Sequence, residues 1–188
     1  KLKAKAEAIR IAAPDDMTTE VGPLCTQRQR DRIAALVAAS TAKGAKLVTG
    51  GQVPEGQGFY YPPTILDCSD VPDAPALSNE FFGPVLSVVA FDTEEQALDL
   101  ANDTAFGLAS GVFTRSLTRA HRMIRGIRAG VVWVNTYRAI SYMTPFGGMK
   151  HSGLGRESGI DAVREYLETK SVWISTAKDV PANPFVMR

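Results

Sequence analysis

Asn79-Glu80-Phe81-Phe82-Gly83-Pro84-Val85-Leu86-Ser87-Val88-Val89-Ala90-Phe91 joins an acidic, aromatic corner to an apolar run. Gly83 permits close backbone approach, and Pro84 sets φ where the run begins. The run Val85 to Phe91 carries the strongest buried character of any predicted strand in the chain. Ligands of open α/β sheets bind at strand and loop ends, so Glu80 and Phe82 stand where a site is expected. Read alone, the hexapeptide is a turn with a solvated Glu above two core rings. The flanking sequence decides between these readings.

Downstream, strand and helix patterns alternate. Thr93 to Asn102 reads as a helix with Ala97, Leu98 and Ala101 inward, and Gly107 to Thr114 as a strand. Ser116 to Ile127 reads as a helix with Leu117, Ala120, Ile124 and Ile127 apolar. Val131-Val132-Trp133-Val134 is a further buried strand. This alternation predicts an α/β fold with a largely parallel sheet.

Upstream, Leu2 to Ile11 reads as a helix stopped by Pro14, followed by a polar connector from Asp15 to Leu24. A helix is predicted from Thr26 to Lys43, with Thr26 as N-cap, Ile33, Leu36 and Val37 as its buried stripe, and Gly44 as the C′ residue. Ala45 to Thr49 is a short strand. Phe59 to Leu66 is extended, and Pro62-Pro63 predict an edge or non-ladder position for it. Beyond the alternating centre, Tyr137 to Gly159 is a long glycine-rich loop, a length that is usually functional when ordered. Ile160 to Leu167 reads as a helix, Ser171 to Thr176 as a final strand, and Ala177 to Arg188 as a tail. No internal repeat is visible.

The 188 residues fit about one domain with a real core. With 21 basic and 20 acidic residues, net charge +1, no electrostatic footprint for nucleic acid or an anionic membrane exists. No apolar run reaches the roughly 18 residues of a spanning helix. The N-terminus lacks a signal-type apolar region, lacks a starting Met and opens inside a helical pattern, so a fragment is expected. Cys25 and Cys68 lie far apart with no ligand spacing, which points to reduced thiols, a cytoplasmic location and no metal.

Gly153-Leu154-Gly155-Arg156-Glu157-Ser158-Gly159 is one residue off the GxGxxG spacing and follows a loop, so it fails as a dinucleotide fingerprint. Cys25 has Arg28 and Arg30 nearby, which favours a thiolate, yet no His or carboxylate partner follows at useful spacing. An incidental or buried thiol is the default for both cysteines. His121 sits mid-helix between Arg119 and Arg122 and reads as solvated. His151, in the glycine loop, is the better functional histidine.

Four motifs together carry a resemblance. Glu80-Phe81-Phe82-Gly83-Pro84 resembles the E-x-F-G-P motif of the aldehyde dehydrogenase family, and Asn102 to Ala109 its N-x-T-x-Y/F-G-L-A segment. Gly130 to Asn135, then Pro145-Phe146-Gly147-Gly148-Met149-Lys150, Ser152-Gly153 and Gly155-Arg156-Glu157, resemble its G-x-V-W-V-N…P-F-G-G-x-K-x-S-G-x-G-R-E run. The match runs in family order from about Gly22 to Ile174.

The resemblance implies a three-layer αβα architecture, the catalytic-domain half of that fold, over residues 1–168. An oligomerisation strand and tail would fill 169–188. It implies a parent that oxidises an aldehyde to a carboxylic acid through a cysteine thiohemiacetal and thioester, with NAD or NADP as hydride acceptor. The nucleophile and general-base segments of the family lie outside the matching part, and neither cysteine here sits in the nucleophile's context. The expected chain is therefore an inactive C-terminal portion without tight NAD binding.

By the same resemblance, Glu80 would accept hydrogen bonds from the nicotinamide ribose, a task suited to a carboxylate. Phe82 and Leu108 would face the nicotinamide. Ile140 and Phe146 would line an apolar aldehyde tunnel, and Ile140 departs from the aromatic that some members carry. Glu157 matches a proton-relay carboxylate, against an ion pair or helix-terminal charge. Lys170 to Thr176 matches the strand that joins subunits, so a homo-oligomer is expected. The other reading is a non-catalytic structural or interaction protein on the same half-fold. A more distant one is a semialdehyde dehydrogenase that releases acyl phosphate or acyl-CoA, from which the Gly-Arg-Glu loop and Glu80 lean away.

Overall fold

The computed structural model describes residues 1–176 and residue 178. It opens with α1 (Leu2–Glu7), which buries no side chain. The helix stops at Glu7 rather than Ile11, where the Thr49 hydroxyl donates to the Glu7 carboxylate at 2.9 Å, and Ile11 instead bridges Val21. α2 (Gln27–Ala42) agrees with its sequence signals. The Thr26 hydroxyl accepts the Gln29 N–H at 3.2 Å, and Gly44 at φ 110° follows the last turn in a conformation that side-chain-bearing residues avoid. Ile33 and Val37 are buried, and Leu36 packs partly against the same core.

β1 (Lys46–Thr49), β2 (Thr64–Asp67) and β3 (Val85–Val88) form a three-stranded sheet in that order, with α3 (Pro75–Ser78) between β2 and β3 in sequence. β1 runs antiparallel to β2, and β2 runs parallel to β3 with Thr64 opposite Val85. The edge or non-ladder position expected from Pro62-Pro63 holds for residues 59–63, which lie outside the ladder, but not for the residues that follow. Both prolines precede the ladder, and β2 is the central strand, with Thr64, Ile65 and Leu66 buried. The strand predicted over Val85 to Phe91 ends at Val88, and Leu86 is 47% exposed. Its ladder has a partner on one side only among the described residues, so its apolar character exceeds its burial.

The principal core lies between α2 and this sheet, where Ile33, Val37, Tyr61, Leu66, Cys68 and Phe81 meet. Ser40 is fully buried and satisfied. Its Oγ donates to the Leu36 carbonyl at 2.8 Å and accepts the Ala76 N–H at 3.0 Å, which locks α2 to α3.

The second half contains α4 (Glu94–Asn102), β4 (Phe106–Gly107), β5 (Ala109–Val112), α5 (Leu117–Gly126), β6 (Val131–Val134) and β7 (Met149–Lys150). The single strand predicted from Gly107 to Thr114 is divided at Leu108. β4 pairs antiparallel with β7, and β5 pairs parallel with β6. The division follows from hydrogen bonding. The Gly107 N–H is taken by Ser152 Oγ at 2.9 Å, whereas the Gly107 and Leu108 carbonyls accept from Gly130 and Val131. A Cβ on Gly107 would stand 2.7 Å from the Arg128 carbonyl oxygen, so glycine permits the crossing. On α5 the buried stripe is Ala120 and Met123, continued by Ile127, while Leu117 is 73% exposed.

Among the described residues the strands thus form three sheets, one mixed, one antiparallel and one parallel, rather than one largely parallel sheet. The helix predicted over Ile160 to Leu167 is a 3₁₀ helix over Ile160–Tyr166. The final strand predicted at Lys170 to Thr176 is not formed among the described residues, where 167–176 carry no ladder and Val172, Trp173 and Ile174 are exposed. A strand requires a ladder for its backbone groups, and the sheets among the described residues do not include this segment. The predicted tail, apart from residue 178, lies outside the described residues. Among the described residues no helix is long and apolar enough to cross a membrane.

Candidate functional site

The Glu80–Phe82 corner turns two adjacent rings in opposite directions. Phe81 is 7% exposed inside the core, and Phe82 is 72% exposed. Phe82 also has φ 52°, a left-handed backbone that is a genuine outlier for a bulky residue. Such a conformation persists only when its surroundings over-determine it. Here α2 does so. Gln29 Nε2 donates to the Phe81 carbonyl at 2.6 Å and to the Phe82 carbonyl at 3.3 Å. Arg32 Nη1 donates to the Glu80 carbonyl at 2.9 Å and to that of Phe81 at 3.4 Å. Beneath the corner, a Cβ on Gly83 would run into Ile33 Cδ1. Core packing below and side-chain donors beside it leave the Glu80 and Phe82 side chains outside.

Outside, they meet the second half of the chain. Glu80, Phe82, Leu108, Arg128, His151 and Ser152 line one cleft of about 560 Å³. A second cleft of about 420 Å³ has Leu108, Phe146, Ser152, Arg156 and Glu157 among its walls. Leu108 and Ser152 belong to both. The three expected cofactor residues therefore share one cleft, and Phe146 and Glu157 share the next, with Leu108 between them. Ile140 lines neither. It is 65% exposed on the loop after β6. His151 lies in the first cleft, and His121 is exposed on α5.

The wall between the clefts is held by Asn102 and Lys150. The Asn102 amide donates to the Gly126 carbonyl at 2.9 Å and accepts the Arg128 N–H at 2.8 Å. Lys150 Nζ donates to the Asn102 and Thr104 carbonyls at 2.9 and 3.1 Å, where the carbonyls at the C-terminal end of α4 point. A cation at a helix C-terminus is favoured by the dipole and satisfies orphan carbonyls. The His151 N–H then reaches the Ala105 carbonyl at 2.9 Å. In this way the segment 149–152 is wrapped on 102–107, which leads directly into Leu108.

Phe146 and Glu157 exchange two backbone hydrogen bonds, of 2.7 and 2.8 Å. Arg156 Nη1 closes the same loop by donating to the Gly148 and Gly155 carbonyls at 2.8 and 2.7 Å. A side chain at Gly147 would meet the Gly155 oxygen at 2.6 Å. The Phe146–Glu157 pairing thus depends on glycine and on the arginine staple.

Neither cysteine lines either cleft. Cys25 is exposed ahead of α2, and Cys68 is fully buried in the main core. Burial pushes the Cys68 thiol up, and the neighbouring Asp67 charge adds to this, so it stays protonated. The strongest electrostatic feature lies away from the clefts. Glu94, at the start of α4, accepts from Arg122 at 2.7 and 2.8 Å and from Arg119 at 3.0 Å. The hydrogen bonds from Arg122 lead in holding its carboxyl down at about 2. Among the described residues no group of three or more His, Cys, Asp and Glu is gathered to hold a metal.

Sequence reasoning missed Gln29 and Arg32. Their i, i+3 spacing on α2, beside the stripe of Ile33 and Val37, places both on one face and was the available signal.

The family model described as "Aldehyde dehydrogenase family" matches residues 1–172. The chain is 56% identical over all 188 of its residues to a (Z)-2-((N-methylformamido)methylene)-5-hydroxybutyrolactone dehydrogenase of Acinetobacter baylyi, covering 38% of that protein. It is 45% identical over 175 residues, 93% of the chain, to a betaine aldehyde dehydrogenase of Cereibacter sphaeroides, covering 36% of it. The fold is similar to a betaine aldehyde dehydrogenase double mutant from Staphylococcus aureus in complex with NAD+. Their TM-score is 0.88 at 32% identity, with 99% of this chain and 38% of that one covered. The chain spans little more than a third of the length of the relatives it matches.

Proposed function

The chain belongs to the aldehyde dehydrogenase family, and from that premise we propose that it is the C-terminal part of an NAD(P)-dependent enzyme that oxidises an aldehyde to a carboxylic acid. The observation that carries this reading is the convergence of Glu80, Phe82 and Leu108 on one cleft. Those side chains suit a nicotinamide nucleotide. A carboxylate accepts from two ribose hydroxyls, and an exposed ring and a leucine offer apolar surface to a flat heterocycle. A bound nicotinamide nucleotide would supply the two-electron acceptor. In the longer enzyme Phe146, and Ile140 once covered by the rest of the protein, would form part of the aldehyde's apolar surroundings and exclude water there. Glu157, exposed beside Phe146, would carry a proton to or from solvent.

The nucleophilic cysteine and the general base belong to parts of the enzyme outside these 188 residues. This is supported by the positions of Cys25, exposed before α2, and Cys68, closed in the core. On this reading the three sheets join a common sheet only in the complete catalytic domain. Residues 170–176 pair with another copy, and their exposed Val172, Trp173 and Ile174 gain cover by doing so.

The purified chain, supplied with NAD+ or NADP+ and a panel of aldehydes, should show no turnover. Turnover abolished by Cys25→Ala would overturn the assignment of the nucleophile to another segment. In the longer polypeptide, Glu80→Gln should raise the KM for the nucleotide about tenfold, the loss expected for charge-assisted hydrogen bonds. An unchanged KM would remove Glu80 from the cofactor site. Light scattering tests the pairing of 170–176, and a clean monomer at micromolar concentration would count against it.

A further inference from the structure

Trp133 sits in β6, and its indole leaves the strand toward the loop that follows. Its Nε1–H donates to the Ala139 carbonyl at 2.8 Å. The Tyr137 ring stands edge-on to it, with centroids 5.5 Å apart and planes at 72°. Between these contacts the backbone takes left-handed turns at two non-glycine residues, Asn135 at φ 54° and Arg138 at φ 58°. Both conformations need enforcement. Asn135 receives it from Thr114, whose N–H donates to the Asn135 amide oxygen and whose carbonyl accepts from the amide nitrogen, at 2.9 and 2.8 Å. For the far side of the turn, the hydrogen bond at Ala139 is the contact that reaches the residue next to Ile140.

We propose that Trp133 is a positioning residue that pins the loop at Ala139 and thereby sets where Ile140 faces the aldehyde. The inference rests on the assignment of Ile140 to the aldehyde's surroundings. An exposed residue on a loop has many orientations, and a wall that discriminates between aldehydes has to stay in one of them. The indole supplies this constraint with a single directed donor, and Tyr137 keeps the ring from rotating away. Selectivity among aldehydes then depends on a residue that does not touch the substrate.

Trp133→Phe tests the proposal, because it retains a ring for Tyr137 and removes the donor. In the 188-residue chain the readout is tryptic cleavage after Arg138, the exposed bond next to the pinned carbonyl, with exposed Arg115 as the internal reference. Cleavage at Arg138 should accelerate about three- to tenfold, the population shift expected from one hydrogen bond, while Arg115 holds its rate. In the longer enzyme the same substitution should raise the KM for an apolar aldehyde by a similar factor and leave the KM for the nucleotide unchanged. Ile140→Ala should shift aldehyde selectivity in the same direction, and the double variant should add little further. An unchanged rate at Arg138, or equal acceleration at Arg115, overturns the proposal, as does a loss of kcat with an unaltered aldehyde KM. Faster cleavage at Arg138 in an enzyme that oxidises no aldehyde would support the pin and defeat the functional assignment instead.

Discussion

Gln29 donates from its side-chain amide to the Phe81 carbonyl at 2.6 Å, across 52 residues of sequence. The bond ties the first turns of α2 to the corner that presents Glu80 and Phe82. Removing the donor in Gln29→Ala leaves a part-buried carbonyl without this partner. The cost is about 1 kcal/mol, read as a shift in the urea midpoint of the chain. A midpoint unchanged within error would show that Arg32 alone holds the corner.

Phe82 has both an exposed ring and a left-handed backbone. Replacing it with glycine removes little packing and relieves the strain, while the unfolded chain gains freedom. Because these two backbone effects oppose each other, Phe82→Gly should leave Tm unchanged or slightly raised. In the longer enzyme it should weaken nucleotide binding. A fall of several degrees in the chain's Tm would show that the ring has a packing role.

Lys150 is the cation at the end of α4, and its two carbonyl contacts fasten the loop that forms one wall of both clefts. Lys150→Met keeps the aliphatic stem and deletes the donors. It should cost about 2 kcal/mol, in the range for hydrogen bonds to a charged group. Faster hydrogen exchange should be confined to the His151 amide and its neighbours. Lys150→Arg retains the charge and should recover part of the loss.

Glu94 gives the acid limb of stability a local origin. Its carboxyl is held from an ordinary 4.5 down to about 2, first by the hydrogen bonds from Arg122. A depressed carboxylate stabilises the fold fully above the ordinary value, and that contribution is lost as pH falls through 4.5 toward 2. The pair is exposed enough for solvent to screen it, so the effect should be modest and weaker in high salt. Thermal melts across this window should show Tm falling more steeply for the native chain than for Glu94→Gln. Parallel curves would remove Glu94 from the acid response.

Helix boundaries were the most legible part of the fold. Thr26, Thr93 and Ser116 each cap the helix that follows through their hydroxyl oxygen, and these are short-range interactions written within a few residues. Strand partners were not legible. The apolar run at Val85 to Phe91 suggested deep burial, yet its depth depends on which strands flank it. The strand predicted from Gly107 to Thr114 looked continuous because only Ser152, distant in sequence, reveals that the chain changes partner at Leu108. Lys170 to Thr176 has strand composition without a strand, since a ladder requires a second segment.

The site divides along the same line. By itself the sequence determined which residue types were available, and its motifs, in family order, picked out Glu80, Phe82, Leu108, Phe146 and Glu157. Only the tertiary structure decided that Leu108 stands between two clefts, that Phe82 turns outward while Phe81 turns in, and that Ile140 lines neither cleft. The reason is physical. Caps, turns and periodicity act over a few residues, whereas the direction of a side chain at a loop depends on donors that folding brings from far along the chain. Gln29 and Arg32 supply those donors at the corner, and Trp133 and Lys150 supply them at the loops.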